Sequence, residues 1–140
     1  RPEVAQTEQI ETLRRLLSWF WHDLSHHVLT PLARGQPWAA YGGLQDLRLS
    51  CVNLARLTED FSAAPEGFEK VEQALPGTQL QPLAATCCPL ERTAMLQAAR
   101  AMVGFYQTLA GPLAHRYGLV YPTAHEQLIL KRLDHLLATL

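Results

Sequence analysis

Ile10, Leu13, Leu17, Phe20 and Leu24 recur at alternating spacings of three and four, which lines them along one side of a helix. A stripe of that kind must be covered by another element, so this pattern commits the chain to helix-on-helix packing. The spacing predicts a helix over Glu3 to Ala33, with Pro31 kinking or ending it and Arg34-Gly35 with Pro37 as the stop. A second helix is expected from Pro37 to Glu59, with Leu44, Leu47, Cys51 and Leu54 as its stripe and the first helix as its antiparallel neighbour. Between Asp60 and Pro89 the prolines and glycines leave only EGFEKVEQAL as a short helix. A long helix from Leu90 to about Tyr117 carries Met95, Ala98, Met102, Phe105, Leu109 and Leu113, with Pro112 near its end and Gly118 as its cap. The last helix opens with Thr123 and Glu126 at capping-box spacing and carries Ile129, Leu133, Leu136 and Leu140. No strand-like alternation occurs. The expected fold is all-α, one domain over residues 1–140, an up-down bundle of four long helices plus one short helix.

Composition excludes several functions. Twelve basic against thirteen acidic residues give a net charge of -1, which argues against a nucleic-acid partner. No apolar run approaches the roughly 20 residues of a membrane span, and the start lacks a signal peptide's apolar segment. Three cysteines, Cys51 and the adjacent Cys87 and Cys88, make no disulfide framework, so a cytoplasmic location is expected. Because Arg1 replaces an initiator methionine, the chain is expected to be processed or cut from something longer.

The stretch HDLSHH sets His22 and His26 four apart with Asp23 between them, one methylene from the H-E-x-x-H of zinc hydrolases. A metal-dependent hydrolase would need a third ligand. His115, His125 and His135 are available, but none belongs to a recognisable second half of such a motif, and no metal is expected. His22 and His26 instead share a face with Trp19, roughly opposite the main stripe, while His27 continues the stripe to the core boundary. On the second helix Trp38, Tyr41, Gln45 and Arg48 fall on one line apart from the leucines, a face suited to a ligand or another domain. The plainer alternative is that Trp38 and Tyr41 finish the core and Arg48 pairs with an acid. Gly42-Gly43 inside this helix costs roughly 1 kcal/mol per residue against alanine, which suggests close approach by another backbone or simple tolerance. The cysteines lack a basic neighbour in sequence, and no G-x-S-x-G or phosphate loop occurs. Arg15 and His22 fit the loose R-x4-6-H signature of small helical ribonucleases that partner minimal nucleotidyltransferases, with apolar LLSWFW between them. That gives a stand-alone ribonuclease or antitoxin-type partner as an alternative.

The segment FWHDLSHHVLTPLARGQPWAAYGGLQDLRLSCVNLARL resembles the helical part of bacterial nucleotidyltransferases of the aminoglycoside-resistance type. An aromatic helix is followed there by R-G-x-x-W-x-A and L-x-x-L-R, matched by Arg34, Gly35, Trp38, Ala40, Leu44, Leu47 and Arg48. GFEKVEQALPGTQLQPLAAT and AARAMVGFYQTLAGPLAHRYGLVYP are similar to the family's later helices, closing on Tyr121-Pro122. The resemblance implies a catalytic domain with Gly-Ser and D-x-D, whose acids hold magnesium against a nucleoside triphosphate. Neither motif is present, and the aspartates Asp23, Asp46, Asp60 and Asp134 are scattered. The chain thus looks like the carboxy-terminal helical domain alone, with no catalytic residue and no cofactor of its own. The resemblance further implies a catalytic nucleotidyltransferase domain as partner, in the same or a separate chain, a small-molecule acceptor cleft and a share in homodimerisation. It assigns substrate binding to Trp19, His22, Asp23, His26, Trp38, Tyr41, Asp46 and Arg48, with the two aspartates facing an amine-rich acceptor.

Overall fold

The computed structural model describes residues 4–139. Every regular element in that span is helical: α1 (Gln6–Leu24), a π-helical turn (Ser25–Leu29), α2 (Thr30–Ala33), α3 (Pro37–Glu59), α4 (Val71–Ala74), α5 (Gly77–Ala84), α6 (Arg92–Arg116) and α7 (Thr123–Ala138). No β-strand and no helix long and apolar enough to cross a membrane occurs among the described residues. The core is built around α3, which packs on α1, the π-turn and α6; α7 closes against α6 and α1.

The sequence stripes bury as expected along α3 and α6, where Leu44, Leu47, Cys51 and Leu54 meet Met95, Met102 and Phe105 in one cluster. On α1, Leu13, Leu17, Phe20 and Leu24 are buried, while Ile10 is only half-buried. Gln9 is buried beside it, and its Nε2 donates to the Ala63 carbonyl at 2.6 Å. Ile129 and Leu133 of α7 are in the core, Leu136 is packed at its edge, and Leu140 lies outside the described residues.

Three expectations are corrected. His27 is not at the core boundary: the π-turn advances the helix by an extra residue, so Val28 and Leu29 face inward and the His27 side chain is exposed. Helical structure runs to Ala33 as the spacing predicts, with Pro31 inside continuous helical backbone directly after the π-turn, so of kinking or ending, it is the ending that does not occur. The short helix expected over EGFEKVEQAL shrinks to α4, and α5 forms where Pro76, Gly77 and Pro82 read as loop. Pro76 serves there as an extended N-cap rather than a breaker. The capping box at Thr123 is not made either: Pro122 takes the cap position, and Glu126 Oε1 accepts from Gln107 Nε2 at 2.9 Å.

The stops are as read. Gly35 and Gly118 adopt φ of +69° and +66° just past α2 and α6, a backbone region that favours glycine. Leu119 N–H then bonds back to the Ala114 carbonyl at 2.9 Å.

At the start of α6, Glu91 accepts from the N–H groups of Thr93 at 2.9 Å and Ala94 at 2.8 Å. These backbone bonds, Ala94's first, hold its carboxyl below the ordinary value of 4.5. A depressed native pKa adds stability above the unfolded value, and that stability is lost as pH falls through the native one. Thermal melts across pH will therefore find Glu91→Ala less stable than the parent at neutrality, with the gap closing in acid. A gap that stays constant would show that the charge plays no part.

Candidate functional site

The helical period of α3 sends Leu44, Leu47 and Cys51 into the core and brings Tyr41, Gln45 and Arg48 along the neighbouring face. That second face forms one wall of a cleft of 430 Å³. The opposite wall comes from the loop-rich side, with Phe68, Val71, Glu72, Leu80 and Leu83, and the adjacent Cys87 and Cys88 complete it.

Arg48 anchors the cleft. Its side chain reaches across to Thr86, with Nε donating to the hydroxyl at 2.8 Å and Nη2 to the carbonyl at 2.7 Å; Nη1 donates to Gln45 Oε1. The Thr86 hydroxyl donates in turn to the Leu83 carbonyl at 2.7 Å, so the guanidinium is tied to the end of α5. Arg48 forms no ion pair among the described residues, which removes the expectation that it pairs with an acid. Trp38 stands outside the cleft with 75 % of its surface exposed, its ring edge-on to Tyr41 at 6.5 Å. Tyr41 is exposed too, so neither aromatic completes the core.

Burial pushes the Cys88 thiol above its ordinary value, Arg48 pulling the other way, and it pushes the enclosed Cys51 thiol up much further. Neither is disposed to be a thiolate nucleophile.

The face on α1 is a separate surface. Trp19 meets His22 edge-on at 5.3 Å, and His22 stacks on His26 with centroids 4.1 Å apart, as the spacing predicts. Among the described residues no three His, Cys, Asp or Glu side chains come close enough together to hold a metal ion, so the third ligand required by the zinc reading is not found there. Asp23 points to the groove between α1 and α3, a hollow of 230 Å³ shared with Arg15, Trp19 and Ser50, and its Oδ1 lies 3.8 Å from His27 Nε2. His22 does not line that hollow, so the Arg15 and His22 of the ribonuclease reading are not brought together in it. Asp46 is exposed and lines neither space.

The eight residues singled out in the sequence thus divide: Tyr41 and Arg48 share the cleft, Trp19, His22 and His26 form the aromatic face, and Trp38, Asp23 and Asp46 lie apart from both groupings or at their margins. Sequence reasoning missed Thr86 and Glu72. Nothing in ATCCP or FEKVEQ signals that these residues face α3, because the contact depends on how the chain folds back. Searches against protein-family models, curated proteins and solved structures find no match.

Proposed function

We propose that this chain is the helical ligand-binding and docking domain of a nucleotidyltransferase-type protein. The catalytic Gly-Ser and D-x-D segment, with its magnesium and nucleoside triphosphate, lies in another part of the same polypeptide or in a separate chain. In this reading residues 6–33, 37–59, 92–116 and 123–138 form an up-down bundle. The catalytic domain docks on its aromatic faces, and the Arg48 cleft receives a small molecule.

The observation that carries the docking role is the exposure of two tryptophans, Trp19 at 55 % and Trp38 at 75 %. Trp38 sits in a segment that resembles that family, and Trp19 directly precedes the same segment. Indole rings are among the side chains that contribute most when a partner covers them, and here they pack little within the chain itself.

An antibody raised against this domain, used on extracts of the source organism, will test the proposal. The expected result is a polypeptide of about twice the 15.7 kDa of this chain, or one that co-purifies with a magnesium-dependent nucleotidyltransferase. In the native assembly Trp19→Ala with Trp38→Ala should loosen that association while leaving the helical circular dichroism spectrum intact. A 15.7 kDa product that brings down no such activity overturns the proposal.

A further inference from the structure

A guanidinium carries five N–H donors and a charge that does not titrate away in a protein. In Arg48 three of those donors are used, two on Thr86 and one on Gln45, which leaves one N–H on each terminal nitrogen without a protein acceptor. The side chain is only 9 % exposed and meets no carboxylate among the described residues. The Thr86 carbonyl just past α5 offers it a dipole, not an opposite charge. Burying a cation this far without a counterion is unfavourable, and the space in front of it is open.

The rest of the cleft fixes what can fill that space. Phe68, Val71, Leu80 and Leu83 make its wall mainly apolar, and Tyr41 adds an aromatic ring. We infer that the cleft binds a small organic carboxylate carried on an apolar body. Its charged end meets the two free N–H groups of Arg48 and its body lies against the α4 and α5 wall. A single negative charge with two acceptor oxygens matches the one cation and the two N–H donors that remain, whereas a phosphate dianion would find a single cation and an apolar wall. A polyamine would bring like charge to Arg48. Glu72, on the opposite wall, opposes the anion and limits its affinity. The inference rests on the reading of the cleft as the domain's ligand site, and not on the identity of any docking partner.

Decanoate and decylammonium, which share a chain length and differ in charge, are the probes. Each is titrated into the whole chain while the melting temperature and the alkylation of Cys87 by iodoacetamide are followed, the latter by mass spectrometry; Cys87 is exposed and lines the cleft. Decanoate should raise the melting temperature and slow alkylation several-fold, with decylammonium doing neither. Arg48→Met should abolish the effect. Because Arg48 also ties down Thr86, the decisive variant is Glu72→Lys, an exposed change that should tighten decanoate binding several-fold. Protection by decylammonium alone, equal protection by both probes, or unchanged decanoate affinity in Glu72→Lys overturns the inference while leaving a ligand cleft in place. Protection by neither overturns the reading of the cleft itself.

Discussion

Replacing Gly43 by alanine will destabilise the protein, while the same change at Gly42 will stabilise it. A Cβ on Gly43 would stand 2.6 Å from the carbonyl carbon of His27 and closer still to its oxygen. Those are backbone atoms of the π-turn, so relief requires α3 to move away from it. Forced overpacking of this kind costs about 1–3 kcal/mol or more, against a gain in helix propensity of about 0.5–1 kcal/mol. Gly42, one residue earlier, has nothing within 4 Å of its would-be Cβ, so only the propensity gain remains. Urea denaturation of the two variants beside the parent reads the result as midpoints moving in opposite directions. Both moving upward would mean that α3 and the π-turn are not in close backbone contact.

Trp21 should show the second large effect. It is fully enclosed, edge-on to Phe20 at 5.1 Å and to Tyr106 at 5.5 Å, and the Tyr106 hydroxyl donates to the Leu17 carbonyl at 3.2 Å. Trp21→Ala should cost about 3–5 kcal/mol, a large share of the 5–15 kcal/mol that hold an ordinary domain together. Trp21→Phe should cost markedly less. The indole Nε1 has no hydrogen-bond partner of ordinary geometry, so the phenyl ring leaves a smaller void and also removes a buried donor without an acceptor. Fluorescence offers an independent check, since Trp19 and Trp38 are exposed: Trp21→Phe should emit at the longer wavelength of solvated indole. Equal losses in the two variants would show that the indole N–H does make a bond in the folded protein and that losing it, not the ring's bulk, sets the cost.

Trp21 also shows where sequence periodicity stops being informative. The stripe rule selects Phe20 and leaves its neighbour unassigned, because a single stripe assumes a single covering surface. Here α1 contacts α3, α6 and α7, so its buried arc is wide enough to take both rings. The main helices were legible because each rests on local spacing, and the boundaries of α3 at Pro37 and Glu59 were read without error. The register after Leu24 was not legible, since no residue type in SHHVL announces a π-turn, and His27 was misplaced for that reason. In the cleft, Tyr41, Gln45 and Arg48 could be grouped from their spacing on one helix. Arg48 and Thr86 are 38 residues apart, a distance that periodicity cannot bridge. The choice left open at Gly42-Gly43 has a split answer: close approach at Gly43 and tolerance at Gly42.

Arg56 repeats on a smaller scale what Arg48 does at Thr86. It is buried, eight residues further along α3, and it donates through Nε to the Gly67 carbonyl at 2.8 Å and through Nη2 to the Glu69 carbonyl. The segment from 60 to 89 is thus laced to the helical body mainly by polar ties, the two guanidiniums together with Gln9 at Ala63 and Asn53 at Gly67, with only a few enclosed apolar side chains such as Val71, Leu75 and Leu83 beneath it. A unit held in this manner opens at lower free energy than the interior it covers. Amide hydrogen exchange across 60–89 is therefore expected to run faster than in α1, α3 and α6, so that the far wall of the cleft is less costly to deform than the protein's centre.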